Sequence, residues 1–349
     1  MTAALLMQPL CYLLWRALRW QFGWSKQAAW AVFLLGNGLL LAAWGGWHTA
    51  VRLIAAWLVL LLYIGFTAFG VWLLYRLLHN RIPPLRLRRL LRLIAPLSVA
   101  VWFAVSVYNA YTPVVRHYSI TVSKPLAQPL RIAAASDLHL GRLVGARQLD
   151  KLAEIVAAEK PDVIVLPGDL MDDNVDAYLA ENMQPHLAEL RAPLGVYATM
   201  GNHDLFGDEV RIRAALQAAG IRVLDDEVVE IGGAFSIIGR PDDLDKQRLP
   251  VEELLAKADL GKPVILLDHR PSGIAHHSTL PVDIQFSGHA HNGQVLPANL
   301  IVRALNRLHY GSEMIGNGHF FVTSGYGFWG VPFRLGSQAE VMIVDVKGL

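Results

Sequence analysis

The sequence predicts an α/β sandwich, two mixed β-sheets flanked by helices in the layer order αββα, preceded by an α-helical transmembrane anchor. Three observations predict it. Charge is partitioned: Met1 to Ser136 holds 13 Lys and Arg and no Asp or Glu, whereas the remaining 213 residues hold 29 acidic residues against 18 basic ones. The first part is built of long uncharged apolar runs. The second alternates short β-branched runs with stretches of helical spacing. Two physically different segments therefore meet near residue 130.

Residues 1–112 read as the anchor. Ala28–Trp47 is 20 residues without formal charge, Leu53–Tyr75 is 23 and Leu93–Tyr111 is 19. At about 1.5 Å per residue, each covers a hydrocarbon core about 30 Å thick. Met1–Trp15 is apolar but short and contains Pro9, so it either crosses or lies in the interface, giving three helices or four. Its positive charges follow the apolar stretch, the reverse of a cleaved signal peptide. Arg76, Arg81, Arg86, Arg88, Arg89 and Arg92 crowd one short connection, which the positive-inside rule places in the cytoplasm, with Arg16, Arg19 and Lys26 on the same side. The cluster serves topology, with anionic headgroup binding as the functional alternative. The chain then leaves through Leu93–Tyr111, so everything after it is expected on the periplasmic or extracellular face of the cytoplasmic membrane. Trp15, Trp20, Trp24, Trp44, Trp47 and Trp102 lie mostly near span ends, as do His48 and His79, the placement of interfacial belt residues. None of the three long spans has an interior Asp, Glu, Lys or Arg, which disfavours transport and leaves tethering. Cys11 is the single cysteine, so an intrachain disulfide and a thiolate metal cluster are both excluded.

Residues 113–130, with Pro113, Pro125 and Pro129, read as an extended linker containing an initial strand at His117–Val122. From 131 to 349 the elements alternate. Strands are expected at Arg131–Ser136, Asp162–Leu166, Gly195–Thr199, Arg222–Leu224, Glu227–Ile231, Phe235–Ile238, Val264–Leu267, Ile284–Ser287, Phe320–Thr323 and Glu340–Val346. Helices are expected at Ala146–Glu159, Ala177–Leu190 and Glu209–Ala219. Repeated βα units give a sheet with helices on its faces, and the closing strands give a second sheet packed on it.

The chemistry lies in the turns just beyond the strands. Five strand ends run into Asp137-Leu138-His139, Gly168-Asp169-Leu170-Met171-Asp172, Gly201-Asn202-His203-Asp204, Asp268-His269 and Gly288-His289-Ala290-His291. Ligands in α/β sheets gather beyond the carboxyl ends of strands. Carboxylates, imidazoles and an amide oxygen, without sulfur, suit Mn, Fe, Zn or Ni. Each motif alone is weak, since such short patterns also serve turns and caps. All five in order, each after a strand, point to a dinuclear metal site.

That ordered set resembles the calcineurin-like metallophosphoesterases over residues 131–346. Ser287-Gly288-His289-Ala290-His291-Asn292-Gly293-Gln294 is most similar to the membrane-associated bacterial YaeI and YkuE group of phosphodiesterases. Ala290 and Asn292 depart from that group's usual Thr and Gly and leave the ligands intact. The resemblance implies one divalent metal ion held by Asp137, His139, Asp169 and His291, and a second held by Asp169, Asn202, His269 and His289. It further implies that His203, oriented by Asp204, faces the scissile phosphate, and that Asp172 supports the ligands from behind. Two such ions activate a bridging hydroxide for in-line attack on a phosphoester.

The expected function is therefore phosphodiester hydrolysis at the outer membrane face. A substrate sharing the plane of the anchor, such as a lipid-linked phosphate, gains effective concentration there. A UDP-2,3-diacylglucosamine pyrophosphohydrolase is the alternative enzyme, opposed by that substrate's cytoplasmic location. A non-catalytic membrane scaffold is the non-enzymatic alternative, opposed by the complete ligand set. The acidic balance of the catalytic half disfavours nucleic acid as a partner.

Other polar groups carry expectations of their own. His276, His277 and the turn Asp242, Asp243, Asp245 are expected in solvent, and Asp268 either beside the metals or at a plain strand end. Residues 324–329 either border the site or pack in the core. Arg334 meets a substrate phosphate or pairs with Glu340.

Overall fold

The computed structural model describes residues 2–45 and 48–349. Trp47, expected in the interfacial belt, lies outside the described residues. The chain divides into two compact units, one ending at Tyr108 and one running from Asn109 to Leu349.

The first unit is helical: α1 Thr2–Phe22, α2 Ala28–Trp44, α3 His48–Leu78 and α4 Pro84–Tyr111, the last running on into the second unit. By length and composition α3 and α4 are long and apolar enough to cross a membrane, while α2 has 17 residues. The segment expected to end at Trp15 continues as helix past Pro9 to Phe22. Met7, Cys11, Leu14, Val32 and Leu61 form a buried cluster, so the lone cysteine is a packed apolar group.

The second unit begins with β1 Val114–Val122 and β2 Leu130–Ala134, then α5 Ala146–Glu159, β3 Val163–Pro167, α6 Asp176–Ala180, α7 Gln184–Leu187, β4 Val196–Thr199 and α8 Glu209–Ala218. It continues with β5 Arg222–Val223, β6 Glu227–Ile231, β7 Phe235–Arg240, α9 Val251–Leu255, β8 Val264–Asp268, α10 Ile274–His277 and β9 Ile284–Ser287. It closes with α11 Ala298–Leu305, β10 Gly311–Ile315, β11 Gly318–Val322 and β12 Glu340–Gly348. One six-stranded sheet has the order β1-β12-β2-β3-β4-β5 and the other β10-β11-β9-β8-β7-β6, both mixed.

Strand alternation builds the four layers. Ile132, Ala134, Val163, Val165, Met342 and Val344 on one sheet meet Ile237, Ile265, Leu267, Ile284 and Phe286 on the other. Their neighbours Ala133, Ile164, Leu166, Val341 and Ile343 face outward, onto Leu149, Leu152 and Val156 of α5 and Ile212 and Leu216 of α8. On the far side Val264 and Leu266 pack on Leu254 and Leu255 of α9. Strands apolar at every position are what a sheet covered on both faces requires.

The structure refines two readings. The stretch read as a linker is largely strand: β1 pairs parallel with β12 over Val114↔Glu340 to Val122↔Gly348, three residues earlier than the expected start. The helix expected over Ala177–Leu190 is two helices, because Asn182 at φ 50 ends the first and Pro185 opens the second. Helices α9 to α11 and strand β10 were not expected from the sequence pattern.

Gly168 holds a left-handed φ of +91, and a Cβ there would lie 2.5 Å from His269 Nδ1 and 2.9 Å from Gly201 Cα. Gly168→Ala should therefore cost about 2 kcal/mol or more from backbone strain and displaced neighbours. Gly207→Ala, at φ +119 with nothing within 4 Å of its Cβ, incurs strain alone and should cost less. Thermal unfolding of the two full-length variants against the parent measures the difference; equal Tm losses would remove the packing part of the explanation.

Candidate metal centre

Five loops carry the expected residues, three at the carboxyl ends of β2, β3 and β4 and two at the ends of β8 and β9. The sandwich brings these ends to one rim, and each loop is tied to the next. Asp137 N donates to Gly168 O at 3.0 Å, His139 N to Asp169 O at 3.1 Å and Gly288 N to His269 O at 2.9 Å. Asp137, His139, Asp169, His289 and His291 all have positive φ, between 46 and 63. Non-glycine residues rarely adopt that region, and strain of this kind persists only where surrounding structure over-determines it.

Asp137, His139 and His291 place their ligand atoms within 4.8 Å of one another, and Asp169, His269 and His289 do the same. Asp169 links the groups, its Oδ2 lying 3.8 Å from His139 Nε2 and 3.2 Å from His269 Nε2. His139 Nε2 and His291 Nε2 face each other at 3.1 Å. His269 Nδ1 donates to Pro167 O at 2.8 Å, which turns Nε2 inward as the free ligating atom. Ser136 Oγ donates to Asp137 Oδ2 at 2.6 Å, and the His289 amide donates to the same carboxylate.

The electrostatics are those of a site built for cations. Burial pushes the Asp137 carboxyl up to about 6, with Asp169 adding to the rise. Burial also raises Asp169, but His269 and His139 outweigh it and hold that group below the ordinary carboxylate range. Burial lowers His269, yet the Asp169 charge brings it up to about 10. His139 and His289 are held neutral by burial, at about 3 and about 4. Asn202 Oδ1 is buried without a hydrogen-bond partner, and His269 Nε2 faces the Asp169 carboxylate at 3.2 Å. An unsatisfied buried acceptor is costly. A metal ion would satisfy Asn202 Oδ1 and take the place of the proton that His269 Nε2 shares with Asp169, so the donor set fits.

His203 lies against this cluster, its ring 4.9 Å from that of His139 and its amide donating to Asp169 Oδ1 at 2.8 Å. Its Nδ1 meets Asp173 Oδ1 at 2.5 Å. The expectation that Asp204 orients His203 is corrected here. The Asp204 carboxylate is wholly buried and accepts the amides of Leu170, Met171 and Gly201 at 2.9–3.1 Å, so it braces two ligand loops, while Asp173 is the carboxylate on the imidazole. Burial raises its carboxyl to about 7. Burial lowers His203, but Asp173, Asp169 and Asp172 together lift it above its ordinary value. Asp172 places a carboxylate oxygen within 4.8 Å of the ligand atoms of both His139 and His203. The Asp172-Asp173 pair is the only sequence signal for Asp173, and adjacency alone does not say which carboxylate turns inward.

The remaining candidates divide. His277 is buried on Gln285 while His276 pairs with Glu252 at the surface. Asp242 is buried with a two-pronged contact to Arg270, so that turn is only partly in solvent. Asp268 pairs with Arg240 and is an ion-pair partner at a strand end. Arg334 is fully buried, 3.2 Å from His291 Nδ1 and donating to Gly327 O at 2.5 Å; Glu340 is taken by Arg116, Tyr310 and the Ser324 amide. In the 324–329 loop Tyr326 and Phe328 pack in the core, whereas Trp329 is 43% exposed, its ring 6.5 Å from His203. The Phe206 ring lies edge-on to that of His203 at 5.0 Å.

Comparison with known proteins agrees with this arrangement. The profile of the calcineurin-like phosphoesterase family matches residues 130–293. A metallophosphoesterase of Aquifex aeolicus is 36% identical over 245 residues, covering 67% of this chain and 92% of its own. The metallophosphoesterase YkuE of Bacillus subtilis is 28% identical over 62% of this chain and 79% of its own. A transmembrane protein with a metallophosphoesterase domain from Bos taurus is 30% identical over 66% of this chain, which spans 56% of that relative's length.

The Asp173 contact has a measurable pH signature. A His whose folded pKa is raised contributes stability that is present below its unfolded value, about 6.5, and is lost as pH rises through the folded value. Asp173→Asn removes that increment and leaves burial to lower His203. The stability difference between parent and variant should be larger at about pH 5.5 than at about pH 8.5, and no more than about 1 kcal/mol because Asp173 is half exposed. Unfolding curves at the two pH values check it, and a pH-independent difference would refute the pairing.

Proposed function

This chain belongs to the calcineurin-like metallophosphoesterases, metal-dependent phosphohydrolases with a dinuclear site, and from that premise we propose that it is a membrane-anchored phosphodiesterase acting on lipid-linked phosphates. The observation that carries the reading is the pair of ligand groups around Asp169, with Asn202 Oδ1 buried and unpartnered and His269 Nε2 turned onto Asp169. Asp137, His139, Asp169 and His291 would hold one ion, and Asp169, Asn202, His269 and His289 the other, with manganese the first metal to test. When bound, the ions supply charge stabilisation at phosphorus and an activated water.

The chain's own residues do the rest. His203, held through Nδ1 by Asp173, presents its other nitrogen to the leaving oxygen and donates a proton there. The Asp173 carboxylate favours the protonated imidazole. Phe206 and Trp329 flank the imidazole and limit water at the mouth. Asp204 and Ser136 fix the loops on which the ligands stand.

Two apolar helices of spanning length and the arginines clustered where α3 ends and α4 begins support an anchor in the cytoplasmic membrane with the catalytic unit on its outer face. The cattle relative carries the word transmembrane in its name.

The full chain loaded with manganese should hydrolyse bis-p-nitrophenyl phosphate faster than p-nitrophenyl phosphate. Asp169→Asn should lose at least about 100-fold, since even an outer partner of a metal ligand is worth about 10–100-fold. Chelation should abolish the activity and manganese restore it; chelator-resistant turnover, or full turnover by the variant, would defeat the metal assignment. A carboxyl-terminal tag should be digested by protease added to spheroplasts, and protection would reverse the topology.

A further inference from the structure

Helix α11 is amphipathic with its apolar stripe turned outward. Pro297, Leu300, Ile301, Ala304 and Leu305 follow the i, i+3, i+4, i+7, i+8 spacing of one helix face, and all five are at least partly exposed. Leu300, Ile301 and Leu305 are 61%, 58% and 76% exposed, and no residue of the helix is buried. A helix that packs on its own domain turns such a stripe inward. This one is held by its backbone instead: Gly293, at φ +73, lets the ligand turn His291–Gly293 lie directly on Ala298 and Asn299, where a Cβ would come 2.5 Å from Asn299 Cα. Gln294 fixes Trp329 to the same turn, accepting from its amide at 2.9 Å and donating to its carbonyl at 3.0 Å. The stripe and the exposed indole beside His203 therefore hang from the loop that carries His291.

Charge selects the occupant. From His291 to Ser312 there is no Asp or Glu, within a catalytic half carrying 29 acidic residues against 18 basic ones. Arg303 is exposed and pairs with no carboxylate among the described residues, and Arg307 stands one turn further on, paired with Glu313. Only Thr112 and Pro113 separate α4, long and apolar enough to cross a membrane, from β1 of this domain. An apolar stripe on a helix that carries no acid and has the unpaired Arg303 at its edge matches an anionic phospholipid surface. A second copy of this domain would bring its own acidic excess.

We propose that α11 docks on the anionic phospholipid surface with Leu300, Ile301 and Leu305 among the acyl chains, holding the mouth of the metal site, with Phe206 and Trp329, at the interface where a lipid phosphoester enters. The proposal rests on the membrane-anchored phosphoesterase reading above and adds the surface by which substrate is taken.

Cys11→Ser with Ile301→Cys leaves one thiol for a nitroxide, and Lys257→Cys in the same background gives an exposed reference. In proteoliposomes of phosphatidylcholine and phosphatidylglycerol, the oxygen to nickel-chelate collision ratio should be at least about threefold higher at 301 than at 257. Equal ratios overturn the proposal and leave the stripe for a protein partner. Spin–spin broadening at 301 that grows with protein-to-lipid ratio places a second copy there and overturns it equally. A Leu300→Glu, Leu305→Glu variant should keep hydrolysis of bis-p-nitrophenyl phosphate within about twofold while losing at least about tenfold on hexadecyl p-nitrophenyl phosphate held in the vesicles. Parallel losses on both substrates overturn the substrate-entry role. Parent protein silent on both substrates, with 301 in lipid, would sink the phosphoesterase reading and leave the docking surface standing.

Discussion

Asp169 is a carboxylate almost wholly removed from water, placed between two groups of imidazoles and kept ionised there by them. Burying such a charge without compensation is prohibitive. The compensation comes from three directions: His269 and His139 across the site, the His203 amide on Oδ1, and the cations that the surrounding donor set would bind. Much of the surrounding structure serves this one group. The Gly168 and Gly201 loops close tightly over it, and Asp204 commits its carboxylate to three amides of those loops, so the carboxylate that looks catalytic in the sequence is a brace.

The strain of this arrangement is carried by the backbone. Five of the seven expected ligands sit at positive φ, on loops that receive hydrogen bonds from one another as well as from their own strands. Two apolar sheets with both faces covered supply the rigidity against which such loops can be strained. Stability and function are divided in space: the sandwich interior stabilises, and the rim consumes part of that stability to hold imidazoles at contact distance.

Around the rim, polarity changes quickly. The ligands are buried and polar, the residues flanking His203 are aromatic and partly exposed, and the helix that comes after His291 turns its aliphatic side outward.

The sequence by itself determined the two-part organisation, the strands buried on both faces and the Asp and His side chains that gather beyond the strand ends. These depend on local quantities, namely charge count, apolar run length, β-branched periodicity and the residue types just beyond each strand. Tertiary structure decided which carboxylate serves which partner. Asp172, Asp173 and Asp204 are equivalent acids in a linear chain. Only the approach of two loops from different strands turns Asp173 onto His203 and Asp204 onto backbone amides. The same holds for Arg334, whose burial against His291 depends on a turn 43 residues earlier in the chain, and for α11, an eight-residue helix whose apolar face reads from sequence like any core-facing stripe. A side chain's type is written in the chain; its partner is set by the long-range contacts that fold it.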